Sequence, residues 1–139
     1  MKITNVTPEI DIHEYQYRPP RYLCEMDGKK IKFVTSTENA KMRAENIISD
    51  EPETIEWINS FEGGQTFYDI GANVGSYSLY AAIMKGVNVV AFEPEAQTFS
   101  LLNYNIFLNA VSDKLTAYNI AISDEEAMTN LYLNFFGAG

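Results

Sequence analysis

Cysteine and histidine are almost missing from this 139-residue chain, which has one of each, Cys24 and His13. A single cysteine permits no internal disulfide and fits a reducing, cytoplasmic compartment. One Cys and one His cannot build a Cys/His zinc site. His13 lies in a loosely patterned N-terminal stretch where a catalytic base is not expected, and no Ser–His–Asp arrangement stands out. Positive charge is also scarce: 10 Lys and Arg face 19 Asp and Glu, for a net charge of −9. Binding a phosphate backbone needs clustered Lys and Arg. The one local cluster, Lys29, Lys30 and Lys32, reads as a solvated hairpin tip. No nucleic-acid partner is therefore expected. Long apolar runs are absent too. No window reaches the length of a membrane span, and MKITNVTPEIDIHEY lacks the apolar core of a signal peptide, so no membrane partner is expected.

What is present is the composition of a globular chain, 46% hydrophobic and 21% charged, long enough for one domain with its own core. Residues 1–20 form a lead-in ending in Arg18-Pro19-Pro20. Residues 21–37, RYLCEMDGKKIKFVTST, read as a β-hairpin, two β-prone runs about the turn dipeptide Asp27-Gly28. Residues 38–48 are rich in helix formers. A second helix is signalled at DEPETIEWINSF, residues 50–61, with Asp50 as cap, Pro52 in the first turn and Glu53 completing a capping box. Ile55, Ile58 and Phe61 share one face, Trp57 is expected to anchor this helix to a sheet, and Gly63-Gly64 ends it.

Strands and helices then alternate. Thr66–Ile70 is a short strand, and residues 75–84 form a helix with Leu79 and Ile83 at i, i+4. Residues 87–92, VNVVAF, are a continuous apolar run, as expected of a central strand buried on both faces. Pro94 opens a further helix with Phe99, Leu102, Ile106 and Ala110 on one stripe. Residues 115–122 are a third strand and 127–136 a further candidate. This order implies an α/β fold: a doubly wound, Rossmann-like parallel sheet with right-handed crossovers. The expected division is a lead-in of residues 1–62 and the first part of the sheet domain at 63–139.

In such a sheet, ligands sit beyond the carboxyl ends of the strands. The first strand runs into YDIGANVGSYSLYAA, residues 68–82. Gly71 permits a conformation closed to residues with a Cβ. Gly75 lets the first helical turn approach a ligand, and that helix start suits a carboxylate or phosphate. Glu93 ends the second strand 18 residues after Gly75, where an acid takes ribose hydroxyls. The dinucleotide pattern G-x-G-x-x-G would need glycine where Asn73 and Ser76 stand. The spacing is instead D-x-G-x-x-x-G, with Asp69 two residues before Gly71. An acid there sits badly beside a pyrophosphate and suits an ammonium or a sulfonium. S-adenosylmethionine carries both, with a carboxylate for the helix start and a ribose for Glu93. Tyr77 and Tyr80 are expected to pack in the core. Asn105 and Asn109, at i, i+4, are expected to hydrogen-bond a neighbouring loop.

The segments FYDIGANVGSYSLYAA (67–82), VAFEPE (90–95) and LLNYNIFLNA (101–110), with EPETIEWI (51–58) upstream, resemble the FkbM-type family of S-adenosylmethionine-dependent methyltransferases. The resemblance covers residues 50–125. It implies a class I methyltransferase fold and O-methylation of a hydroxyl on a sugar or small-molecule acceptor. It also implies that Asp69, Gly71, Ala72, Asn73 and Gly75 form the cofactor loop, with Glu93 at the ribose and Pro94 beside it. Ile122 would edge the adenine, and Glu51 would approach the methionine end. The family's later strands and its K-x-D-x-E-G motif have no match in this chain. The resemblance therefore implies the N-terminal portion of such a domain, with an uncompleted sheet edge open to self-association. Two rival readings stay open: a cofactor-binding fragment without turnover, and a nucleotide-dependent oxidoreductase, against which the missing glycines count.

Overall fold

The hairpin forms as its turn dictates. In the computed structural model, which describes residue 16, residues 18–133 and residue 138, β1 (Arg21–Met26) and β2 (Lys29–Val34) pair antiparallel. Asp27 and Gly28 have φ of 49° and 73°, the positive values a two-residue type I′ turn requires. Ile31 and Phe33 of β2 are fully buried. Cys24 packs against the same core, and its thiol donates to the Ala44 carbonyl at 3.2 Å. Burial pushes that thiol's pKa up.

α1 (Glu38–Glu45) is capped by Thr37, whose hydroxyl oxygen accepts from the Ala40 N–H at 3.0 Å. α2 (Pro52–Asn59) starts differently from the expectation. Glu51, not Asp50, holds the N-cap position, and no side-chain capping bond forms. Pro52 takes the first helical position, which suits its fixed φ and moves the start one residue past the Asp50 box. Asp50 turns instead toward Arg43, at 3.9 Å. Trp57 is more than half exposed yet meets Phe61 and Phe67 edge-on at 5.3 and 5.5 Å, and so ties α2 to the sheet.

β3 (Thr66–Ile70), β4 (Asn88–Phe92) and β5 (Leu115–Tyr118) form a parallel sheet in that order. β3 keeps its expected bounds, whereas β5 stops four residues short of 122. Residues 127–133 carry no strand; residues 134–136 and His13 lie outside the described residues. α3 (Ser76–Tyr80) widens into a π-helical turn, Ala81–Lys85, that ends at Gly86 with φ 70°. α4 (Ala96–Leu108) begins two residues after Pro94, capped by Glu95, whose carboxylate accepts from the N–H groups of Gln97 and Thr98.

Side chains alternate across the sheet. Phe67, Val89 and Leu115 lie in register on one face, followed by Asp69 and Ala91, and all five are buried. Ala44, Ile55, Ile58, Leu79, Leu102 and Ile106 from the four helices join them in one cluster with Ile31 and Phe33. On the opposite face Tyr68 and Ile70 are 60% and 64% exposed. β4 was expected to be buried on both faces. It alternates instead, with Val89 and Ala91 buried and Val90 and Phe92 half-buried, because the cluster that covers this sheet takes in Val89 and Ala91 and neither Val90 nor Phe92.

Asn105 and Asn109 form the structural hydrogen bonds expected of them, but chiefly to the outer edge of strand β2 rather than to a loop. The fully buried Asn105 carboxamide accepts from the Val34 N–H at 2.8 Å and donates to the Val74 carbonyl at 2.9 Å. Asn109 accepts from the Lys32 N–H and donates to the Lys32 carbonyl. No helix among the described residues is long and apolar enough to cross a membrane.

Candidate functional site

The turn after β3 is held by its own hydrogen bonds. The N–H groups of Gly71 and Ala72 donate to the Phe92 carbonyl at 2.9 and 3.0 Å. Asn73 N–H donates to Glu93 Oε2, Val74 N–H to Asn73 Oδ1, and Gly75 N–H to the Ala72 carbonyl. Each amide from 71 to 75 therefore has a partner within the protein. An anion at residues 71–75 would have to displace bonds already made, which leaves the expected carboxylate or phosphate contact to the helix start at Ser76.

Gly71, Asn73 and Gly75 all have positive φ, 83°, 52° and 90°, which accounts for two glycines and an asparagine. The second reason for Gly75 is not the expected one. A Cβ there would lie 2.5 Å from Leu102 Cδ1, so Gly75 makes room for α4 rather than for a ligand. At Gly71 the equivalent position has nothing within 4 Å, so it is this glycine that leaves open space.

Asp69 and Glu93 stand at the ends of adjacent strands but meet different surroundings. Asp69 is turned to the core, where it accepts from the Ser78 hydroxyl at 2.5 Å. Burial pushes its pKa above its ordinary value despite that bond, and the charges of Glu51 and Glu93 push the same way. Glu93 is 7% exposed and held from two sides. Its Oε2 accepts from Asn73 N–H and its Oε1 from Glu95 N–H, both at 2.9 Å. Each oxygen retains a further lone pair. The start of α4 is capped by Glu95, which leaves Glu93 free of that role.

Two cavities meet at the turn, and Glu93 is bonded or adjacent to a wall of each. One, of about 200 Å³, is an apolar slot lined by Ile70, Gly71, Phe92, Pro94, Ile120, Ala121 and Ile122. Phe92 is stacked on Tyr118 at 5.8 Å. The other, of about 140 Å³, is lined by Gly71, Ala72, Asn73, Ser76 and Tyr77 on one side and by Arg43, Ile47, Asp50 and Glu51 on the other. The structure thus gathers Gly71, Ala72, Asn73 and Glu51 at one cavity and Gly71, Pro94 and Ile122 at the other. Asp69, Gly75 and Glu93 line neither, Glu93 standing behind the walls formed by Asn73 and Pro94. Tyr77 both packs on the core, as expected, and lines the charged cavity. Burial, with the charges of Glu51 and Asp50, pushes its pKa up to about 12. Arg43 had no signal in the sequence, because it stands on α1, far along the chain from the glycine turn. A larger cavity of about 800 Å³, lined in part by Val34, Thr37, Gln97, Leu101 and Tyr104, contains none of the residues the sequence singled out.

No family model matches the chain. It is 40% identical over 52 residues to the tRNA(Phe) (4-demethylwyosine(37)-C(7)) aminocarboxypropyltransferase of Pyrococcus horikoshii, a stretch covering 37% of this chain and 19% of that protein. Among solved structures, a transferase of Pyrococcus horikoshii superposes with a TM-score of 0.55 at 26% identity, covering 73% of this chain and 36% of that one. Pyrococcus horikoshii TYW2 in complex with MeSAdo superposes with a TM-score of 0.52 at 24% identity, over the same shares. A SAM-dependent methyltransferase from Agrobacterium tumefaciens gives 0.52 at 13% identity, over 71% of this chain and 32% of that one. These likenesses show the fold that was expected, that of the class I S-adenosylmethionine-dependent methyltransferases, and the similar structures include TYW2. The chain spans about a fifth of the curated relative and about a third of the solved ones.

One expectation is overturned. A relative whose name places its action on tRNA contradicts both the exclusion of nucleic acid and the sugar or small-molecule acceptor. The physical reason is that contact with phosphates is made by the whole surface of a protein, and this chain spans only about a fifth of that relative.

Proposed function

We propose that this chain is the cofactor-holding part of an S-adenosylmethionine-dependent methyltransferase that modifies a nucleotide of tRNA. The observation that carries the reading is Glu93, a buried carboxylate fixed by two backbone amides, one from Asn73 on the wall of the charged cavity, and next in the chain to Pro94 on the wall of the apolar slot. The donor set fits the cofactor's three parts. The slot walled by Pro94 and Ile122 suits a flat, apolar-faced adenine. The remaining lone pairs of Glu93 suit the 2′- and 3′-hydroxyls of ribose. The cavity walled by Glu51, Ala72 and Asn73 suits the amino-acid end, and Gly71, with open space at its Cβ position, lets one ligand run through both. Asp69 and Gly75 support this site from behind, through Ser78 and Leu102. Bound there, the cofactor supplies a methyl on a sulfonium, and the chain's contribution is to hold it in fixed orientation.

The tRNA acceptor is taken from the curated relative's name. The same name favours a second reading, transfer of the aminocarboxypropyl group, which uses the same cofactor and the same residues. FkbM-type membership and a cytoplasmic location are further proposals, resting on the segments 67–82, 90–95 and 101–110 and on the lone Cys24.

Calorimetric titration of S-adenosylmethionine into the chain, beside Glu93→Ala, tests the cofactor site. Binding is expected, weakened about tenfold or more in the variant through loss of charge-assisted hydrogen bonds. A folded chain that binds nothing at millimolar cofactor would sink the proposal. Cofactor labelled separately in its methyl and its carboxyl carbon, incubated with bulk tRNA, separates the two transfers by which label enters the RNA.

A further inference from the structure

We propose that Arg43 is a specificity-determining residue, whose guanidinium takes the α-carboxylate of the cofactor's amino-acid end while Glu51 takes the α-ammonium. The proposal rests on the cofactor reading above and extends it to a residue that the glycine-turn pattern does not contain.

The argument begins with charge. Arg43 is the one cation among the residues lining the 140 Å³ cavity, against the carboxylates of Asp50 and Glu51. Asp69 lies close enough to feel the charges of Glu51 and Glu93, so two more carboxylates stand behind the same turn. Such a surround attracts an ammonium or a sulfonium and repels a carboxylate. A zwitterionic amino acid can settle there only if something positive answers its carboxylate.

The glycine turn itself does not supply it. The amides from 71 to 75 are bonded to Phe92, Glu93, Asn73 and Ala72. Arg43 has what the turn lacks. Its partner is Asp50 at 3.9 Å, a separation too long for a hydrogen bond, with the two side chains 44% and 33% exposed. The guanidinium fork of five N–H donors matches a carboxylate in two-point contact. Its root is fixed beside the cavity, because the Arg43 carbonyl accepts from the Ser76 hydroxyl at 3.3 Å, at the first residue of α3. Asp50, on the same wall, keeps the fork near the cavity without occupying its donors. Glu51 stands next along the chain, at the cap of α2, and provides the acceptor for the ammonium.

The consequence is discrimination by the amino-acid end. S-adenosylhomocysteine, which keeps it, is expected to bind about tenfold or more tighter than 5′-methylthioadenosine, which lacks it. The test is calorimetric titration of both ligands into the unmodified chain, Arg43→Met, Arg43→Lys and Glu93→Ala. Arg43→Met is expected to lose about tenfold for S-adenosylhomocysteine and nothing for 5′-methylthioadenosine, and Arg43→Lys to recover part of the loss. Glu93→Ala is expected to weaken both ligands alike. Equal weakening of both ligands by Arg43→Met, or of neither, would overturn the role of Arg43 and leave the cofactor site standing. An unmodified chain that binds neither ligand would overturn both.

Discussion

Phe67 and Tyr68 are neighbours in β3, yet the first is 3% exposed and the second 60%. The same split runs across the sheet: Val89, Ala91 and Leu115 face a cluster fed by all four described helices, while Ile70 and Tyr118 face outward. The two cavities open where these faces meet, at the carboxyl ends of β3 and β4. The covered face supplies rigidity, through Asp69 with Ser78 and Gly75 with Leu102. The open face supplies the apolar slot, through Ile70 and Phe92. A ligand site at this rim therefore draws its precision from one side and its access from the other.

The strongest challenge to this division is at Gly75. Gly75→Ala brings a Cβ to 2.5 Å from a buried leucine methyl and holds alanine at φ 90°, and is expected to destabilise by about 3 kcal/mol. Leu102→Ala alone is expected to cost about 3 kcal/mol through the cavity it leaves. In the double variant the second change clears the space the first requires, so denaturant midpoints should show a loss smaller than the sum. Strict additivity would break the account.

Asn105→Ala comes next, at about 2 kcal/mol, because it leaves the Val34 N–H and the Val74 carbonyl without partners in the core. Amide exchange at Val34 should accelerate with it; unchanged exchange would mean that β2's edge is held by something else. A smaller effect is expected at Asp69. Its raised pKa means that the native state keeps the proton more tightly than the unfolded chain does. The stability this brings is fully present below the ordinary value of 3.8 and is lost as pH rises through the raised native value. Asp69→Asn, which keeps an acceptor for Ser78, should flatten that decline in a stability–pH profile, and an unaltered slope would count against it. The smallest effect belongs to the open face, where Tyr68→Thr is expected to change stability by no more than about 0.5 kcal/mol. A loss several times larger would show that this face is covered in solution.

Local patterns were legible where one short stretch decides the outcome. Asp27-Gly28 sets the hairpin, and the alternation of Thr66–Ile70 sets β3 to the residue. What escaped depended on neighbours far along the chain. The choice between Asp50 and Glu51 as the cap of α2 turns on Pro52 and on Arg43 drawing Asp50 away. The role of Gly75 could not be read without Leu102. In the candidate site, Glu93 and Gly71 announce themselves by spacing, and Ile122 was reached through the resemblance. Arg43 sits mid-helix among ordinary helix formers and acquires its meaning only when α1 is laid beside the turn. The nature of the partner was misread because the charges of this chain, which spans about a fifth of the curated relative, were used to judge a partner of the whole.

The Asn105 carboxamide has a consequence for the order of synthesis. It joins Val34, 71 residues earlier, to Val74, 31 residues earlier. As the chain leaves the ribosome, β1 and β2 emerge before α4 and can pair at once, since the hairpin is local. The last amide of β2 must nevertheless wait for α4 before it finds its acceptor. Until then the hairpin has an open edge, and the glycine turn lacks the bond that pins Val74. Closing the edge of β2, by Asn105 and Asn109, and locking the turn, by Asn105, are thus a single late event that waits for α4.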